Sequence, residues 1–228
     1  MDKLAAREKE AFGALEALTH SRCEFVVIGG YAVNAYALPR FSVDCDLVVP
    51  KDGARKVGKT LLSCGFHRAP ALKHTTYANF MRFEKEALLG LVAAFDVLMD
   101  EVHDRQSGTT FPAIWVFSNS SLVSLPAKTF AGQSRVRVIS ADALFVMKFC
   151  CARATDIRDI FMLCDKVEDW KWVKAEIASR VNFAAQHKKI MQKVSGTEYK
   201  KDLGGVFGYV EPAAFEKRLK ILAVIMEQ

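Results

Sequence analysis

The sequence predicts an α+β protein: a β-sheet flanked by helices over residues 1–139, followed by a helical C-terminal region over residues 140–228. Three observations carry that expectation. Up to Ile139 the apolar residues fall in short, β-branched runs separated by turn residues, the signature of strands. From Ser140 onward their spacing changes from about two residues to about 3.6, the period of a helix. Between residues 25 and 49 an apolar run, a Gly-Gly pair, a short helical segment and a second β-branched run follow one another directly.

Taken in order, residues 3–19 form an amphipathic helix whose stripe is Leu4, Phe12, Leu15 and Leu18. The run FVVI at 25–28 is a strand ending in Gly29-Gly30, and residues 31–38 suit a helix stopped by Pro39. A second strand covers 43–49. Residues 51–64 make another amphipathic helix, with Val57, Leu61 and Leu62 inward and Gly65 ending it. A short edge strand is expected at 66–70. The loop after it holds Lys73 and His74, which suit either a plain surface loop or contact with a nucleotide phosphate. Strands are expected at 77–84 and at 91–99, the latter almost wholly apolar as LVAAFDVLM. Two short strands at 114–117 and 122–125 enclose a turn at 118–121, and a loop at 127–134 leads to a strand at 135–139. Ser140 with Asp142 makes a helix start. Helices are expected at 170–181, 183–194 and 212–226, with Gly204-Gly205 and Gly208 marking a loop.

The chemistry concentrates in two stretches. Side chains alternate faces along a strand, so Asp44 and Asp46 share one face, ~7 Å apart along it, opposite Cys45 and Leu47. Two like charges so placed repel unless a cation lies between them, and hard carboxylate oxygens suit Mg²⁺. Gly29 and Gly30, where a strand gives way to a helix, let backbone amides approach an anion closely. Asp96 interrupts an apolar strand, where an unpaired carboxylate is costly. It is either held by a salt bridge or placed beside Asp44 and Asp46. In the second stretch, Lys148 lies in an apolar helix with Arg153, Asp156, Arg158 and Asp159 just beyond it. The cluster suits an ion-pair network joining two helices, or a lysine aimed at a nucleotide phosphate with Asp156 or Asp159 orienting it.

Gly29-Gly30 followed by Arg40-x-Ser42-x-Asp44-x-Asp46 resembles the signature of the nucleotidyltransferase superfamily, whose fold is polymerase-β-like. The family's pattern is a hydrophobic residue, Gly-Gly or Gly-Ser, a short helix, then Arg-x-Thr-x-Asp-x-Asp. Ser42 stands where Thr is commoner and keeps the hydroxyl. The Lys148…Arg153…Asp156-x-x-Asp159 segment is similar to the one that follows the catalytic domain in AbiEii/AbiGii-type nucleotidyltransferases. These are mostly toxins of bacterial and archaeal toxin–antitoxin or phage-defence systems. The resemblance spans roughly residues 24–166 and is absent from the last sixty.

It implies a mixed-sheet nucleotidyltransferase core at 1–139 and a helical domain at 140–228. Asp44, Asp46 and Asp96 become catalytic metal ligands for Mg²⁺, with Mn²⁺ as a substitute. Gly29, Gly30, Tyr31, Arg40, Ser42 and Lys148 surround a nucleoside triphosphate such as ATP. The implied reaction moves a nucleoside monophosphate to a hydroxyl and releases pyrophosphate. The acceptor stays open between RNA such as tRNA, a protein, and a small molecule such as an aminoglycoside, and a cognate antitoxin is an implied partner. The alternative is a non-catalytic nucleotidyltransferase-like module, an antitoxin or nucleotide-responsive regulator. Such proteins usually lose one carboxylate or the glycines, and candidates for all of these are retained here.

Composition narrows the setting. Of the 228 residues 51% are hydrophobic and 25% charged, enough for a buried core, and no segment approaches the ~20 uninterrupted apolar residues of a membrane span. The charged N-terminus MDKLAAREKE lacks an apolar signal core, and the six cysteines form no Cys-x-x-Cys pair. Both features suit a cytoplasmic protein with reduced thiols. Residues 171–228 carry 11 Lys/Arg against 6 Asp/Glu, and the rest of the chain 21 against 20. That excess suits either a nucleic-acid footprint or a solvated helical surface.

Overall fold

The alternating and β-branched runs become strands in a computed structural model of the chain, which describes residues 3–70 and 79–225. Seven strands pair into one sheet: β1 (Val26–Ile28), β2 (Asp44–Val49), β3 (His67–Arg68), β4 (Phe80–Glu86), β5 (Val92–Met99), β8 (Ser120–Pro126) and β9 (Gln133–Ile139). The order across the sheet is β3–β4–β5–β2–β1–β9–β8. The β2/β5 and β1/β9 pairs are parallel and the other neighbours antiparallel, so the sheet is mixed, as the resemblance implies. Strands β6 (Glu101–His103) and β7 (Thr110–Pro112), a ribbon that the sequence did not announce, pair apart from it.

Helices α1 (Lys3–His20) and α3 (Ala54–Ser63) pack against the sheet. The expected stripe holds in part: Phe12, Leu15 and Leu18 of α1 are buried, as are Val57 and Leu61 of α3, but Leu4 is only half-buried and Leu62, expected inward, is 52% exposed. Beneath them Cys45, Phe83 and Phe95, level with one another on β2, β4 and β5, form one apolar layer. Gly58 of α3 lies so close to the Phe83 ring that an added Cβ would stand 3.2 Å from it. This layer occupies one side of the sheet and turns the alternate residues of β2, β4 and β5 to the other.

The chain divides into two units. The first contains the sheet with its helices and uses residues Met1–Ala35, Phe41–Val102 and Phe111–Ile139. The second uses Tyr36–Arg40, His103–Thr110 and Ser140–Gln228. Among the described residues it holds six α-helices: α5 (Ala141–Cys151), α6 (Ala154–Leu163), α7 (Trp170–Ala178), α8 (Phe183–Val194), α9 (Tyr199–Phe207) and α10 (Pro212–Val224). The switch in period at Ser140 is thus real, and the Ser140 side chain caps α5 by accepting from the Ala143 amide. Helix α5 is apolar nearly all round and correspondingly buried. Its left-handed C-cap, Ala152 at φ 43°, separates it from α6.

Three local expectations are corrected. Residues 114–117 are not a strand but part of helix α4 (Ala113–Ser118), after which β8 starts at Ser120 in place of the expected turn. Gly204 and Gly205 lie inside α9 rather than in a loop; only Gly208, at φ 82°, ends it. Helix α2 covers Gly29–Asn34, so it starts at the first glycine and stops well before Pro39. Lys73, His74 and the expected strand start at Tyr77 lie outside the described residues. Among the described residues no helix is long and apolar enough to cross a membrane.

Candidate active site

Register across the sheet decides what meets on the face opposite the apolar layer. Asp46 on β2 is level with Ile28 on β1 and with Asp96 on β5, and Asp96 is level with Arg82 on β4. Residues level with one another point to the same side of a sheet, as do residues two apart. Asp44, Asp46, Asp96, Arg82 and Glu84 therefore share one face. Asp96 is level with Asp46 on the neighbouring strand, and a salt bridge holds its carboxylate.

The salt bridge comes from a residue the sequence did not single out. Arg82 Nη1 donates to Asp96 Oδ1 at 2.8 Å and to Asp44 Oδ2 at 3.5 Å, while its Nε donates to Glu84 Oε1 at 2.7 Å. Burial of Asp96 outweighs the Arg82 guanidinium and, with the charge of Asp44, lifts its carboxyl above the usual carboxylate value. Beneath the cluster the Cys45 thiol is pushed well up by burial and by the charges of Asp46, Asp44 and Asp96, so it stays protonated and inert.

The glycine hinge closes one side of the face. Gly29 has φ 64°, a conformation that L side chains rarely adopt, and a Cβ built on it would stand 1.9 Å from Asp46 Oδ2. Only glycine lets the strand turn into α2 with the Asp46 carboxylate pressed against the backbone. Gly29, Gly30 and Tyr31 form the first turn of α2, whose N-cap, Ile28, offers no side-chain cap. Tyr31 itself is buried, which pushes its phenol far up. Ser42 is half-buried in the approach to β2, its carbonyl accepting from Arg7 Nη2 at 3.2 Å.

These contacts set up a local test. Gly29→Ala should lose about 1–2 kcal/mol of stability from the left-handed backbone alone, with the displaced Asp46 adding to the loss. Urea unfolding reads the effect, and a variant with wild-type stability would show the hinge to be dispensable.

Whether a divalent ion suits this face can be judged from the donors. Three carboxylates with hard oxygens share one face of adjacent strands, the kind of donor that Mg²⁺ and Mn²⁺ take. The face already draws a cation, the Arg82 guanidinium. Among the described residues no three His, Cys, Asp or Glu side chains stand grouped as a ready-made metal cluster. The donor chemistry suits such an ion, and the guanidinium lies across two of the carboxylates.

Arg40 and Lys148 belong to the second unit, in a network of three cations and three carboxylates. Arg40 is bidentate to Asp159, with Nε to Oδ1 at 2.7 Å and Nη2 to Oδ2 at 2.8 Å. Lys148 Nζ meets Asp156 at 2.8 Å and Asp159 at 2.9 Å. Arg153 donates from Nε to Asp156 at 2.6 Å and lies 3.6 Å from Asp104. Lys148 is only 8% exposed and both of its partners are fully buried. Of the two alternatives read for this cluster, the observed contacts are those of the helix-joining network. Burial would lower the Lys148 ammonium, but Asp159 and Asp156 outweigh it and hold it above its ordinary value. Asp156 is correspondingly held low: Lys148 and Arg153 overcome the cost of its burial. In the same unit a cleft of about 680 Å³ is lined by Arg153, Thr155, Lys189, Gln192 and Lys193 among others.

No protein-family model and no curated protein matches the sequence. Solved structures do match in fold. The solution structure of the antibiotic-resistance factor ANT(2'')-Ia is similar at TM-score 0.52 and 15% identity, over 82% of this chain and 96% of that one. A crystal structure of ANT(2'')-Ia in complex with adenylyl-2''-tobramycin is similar at TM-score 0.51 and 16% identity, over 79% and 98%. A provisionally assigned nucleotidyltransferase from H. pylori is similar at TM-score 0.57 and 13% identity, over 100% and 96%. At these identities the likeness is one of fold, and the fold is of the nucleotidyltransferase type.

Proposed function

We propose that the chain moves a nucleoside monophosphate from a nucleoside triphosphate, such as ATP, to a hydroxyl acceptor, with release of pyrophosphate and with Mg²⁺ or Mn²⁺ as cofactor. The observation that carries this is the placement of Asp44, Asp46 and Asp96 on one face of adjacent strands, with Gly29 pressed against Asp46. Asp44, Asp46 and Asp96 would hold the metal, which when bound neutralises phosphate charge and makes an acceptor hydroxyl more acidic. The amides of Gly29, Gly30 and Tyr31 offer donors to the phosphates. Asp96, half-buried on the same face, is the candidate to accept the proton of the attacking hydroxyl. Ser42 keeps its place in the motif beside these carboxylates. Arg40 and Lys148 act as positioning residues, bracing helices through the network described above rather than touching phosphate. Positioning and charge neutralisation supply most of the rate in such a displacement.

RNA, tRNA included, is the acceptor we favour. The basic excess of residues 171–228 and the cleft lined by Arg153, Lys189 and Lys193 suit a polyanion. The complex of ANT(2'')-Ia with an adenylylated tobramycin makes a small-molecule hydroxyl the second case to test. Purified protein given labelled triphosphates, Mg²⁺ and total RNA should label the RNA, and RNase should remove the label. Label that survives RNase, or that appears on an aminoglycoside, overturns the RNA assignment. Label that appears nowhere, together with triphosphate binding that ignores Mg²⁺, favours the non-catalytic module instead. The AbiEii/AbiGii resemblance further implies a cytoplasmic toxin, of a toxin–antitoxin or defence pair, restrained by a cognate antitoxin. Induced expression should then arrest growth, and Asp46→Asn should not.

A further inference from the structure

We propose that Arg82 is a built-in counter-cation of the carboxylate face, which a divalent ion must displace from Asp96 and Asp44 in order to bind. The inference rests on the metal assignment of the preceding section and adds a residue that opposes it.

Arg82 is not a surface arginine that happens to have swung over a charge. The β4/β5 ladder sets its Cα level with that of Asp96, so the strand itself delivers it to the cluster. Glu84, two residues on and on the same face, holds Nε at 2.7 Å and so orients the rest of the fork. Nη1 then reaches Asp96 Oδ1 at 2.8 Å and Asp44 Oδ2 at 3.5 Å. These are oxygens a divalent ion would need, one from each of two strands. A guanidinium does not give up its charge near neutral pH, so it cannot vacate the site by losing a proton. Ion and guanidinium therefore compete: either the arginine bridges Asp44 and Asp96, or a metal does.

Two consequences follow. Without Arg82, four carboxylates (Asp44, Asp46, Asp96 and Glu84) share a face with no cation of their own from β4, and their mutual repulsion favours an added one. The wild-type chain accordingly binds a divalent ion more weakly than its ligand count suggests, which makes metal loading depend on what arrives with it, such as a triphosphate that brings the ion bound.

The test is titration of the full chain with Mn²⁺ alone, without nucleotide, following the paramagnetic resonance signal of the free ion. Arg82→Met, which keeps much of the apolar stem, should bind Mn²⁺ at least about tenfold more tightly than wild type, the factor set by one charge-assisted hydrogen bond. It should also melt lower without metal, yet show a larger Mn²⁺-induced rise in Tm than wild type. A merely structural arginine would lower Tm without enlarging that rise. Arg82→Lys, which keeps the charge but loses the fork, should fall between the two. If Arg82→Met does not fold, Arg82→Lys decides alone. Equal or weaker Mn²⁺ affinity in the folded variants overturns the role of Arg82 while leaving the metal site standing. Absence of Mn²⁺ binding in wild type and variants alike overturns both.

Discussion

Replacing Asp44 with alanine is expected to slow the proposed nucleotide transfer by about 10³-fold or more, since the metal assigned to it would contribute several kcal/mol and each 1.36 kcal/mol is a factor of ten. The fold should survive the change. The Asp44 side chain is 35% exposed and shares its face with Asp46 and Asp96, so removing it relieves repulsion while giving up a 3.5 Å contact to Arg82. Cys45 and Leu47, the neighbours that anchor β2 in the core, are untouched. Stability should therefore stay within about 0.5 kcal/mol of wild type. Transfer of labelled nucleoside monophosphate, paired with urea unfolding, separates a loss of chemistry from a loss of structure. A folded Asp44→Ala protein that retained a tenth of wild-type transfer would remove this residue from the proposed metal site, and the proposed function would lose its main support.

Asp44 could be singled out from sequence because its surroundings are local. A strand, a glycine pair, a short helix and Asp-x-Asp lie within one stretch, and alternation alone assigns both carboxylates to a face. Asp96 was legible for a different reason: a single charge in an apolar run needs an explanation wherever it lies. Arg82 carried no such signal. It sits in a strand with ordinary alternation, FMRFEKE, and its importance depends on which residue of β5 it is level with, a matter of tertiary register. Lys148 had two readings because a buried lysine among carboxylates and arginines looks the same in sequence whether it serves a phosphate or a neighbouring helix. The local misses also have physical causes. The apolar run of α4 is too short for a period to distinguish helix from strand. In α9 the buried residues Tyr199, Leu203 and Phe207 recur every four residues, and their burial outweighs the roughly 1 kcal/mol that each glycine costs a helix.

The network around Lys148 yields the largest expected effect on stability. Lys148→Met keeps most of the side-chain volume but leaves Asp156 and Asp159, which are 1% and 0% exposed, short of one cation. Breaking a buried pair from one side costs about 3–5 kcal/mol, a large part of the 5–15 kcal/mol that holds a typical domain together. Arg40 still grips Asp159 and Arg153 still grips Asp156, which places the expected loss near the lower end, about 3 kcal/mol. The sign of the pH dependence follows from the shifts. Asp156 is held low in the folded protein, so its contribution is present above the ordinary aspartate value of about 3.9 and fades as pH falls through its lower folded value. Lys148 is held high, so its contribution is present below about 10.4 and fades only as pH rises through a still higher value. In the variant, a buried carboxylate that has lost its ammonium takes up a proton more readily, which relieves the damage in acid. The gap in unfolding free energy between wild type and Lys148→Met should thus be flat around neutrality and narrow on acidification. Urea unfolding at pH 7 and again near pH 4 measures it. A loss below about 1 kcal/mol at pH 7, or a gap that widens in acid, would mean that Lys148 is not held by these carboxylates and would return it to the list of groups able to meet a phosphate.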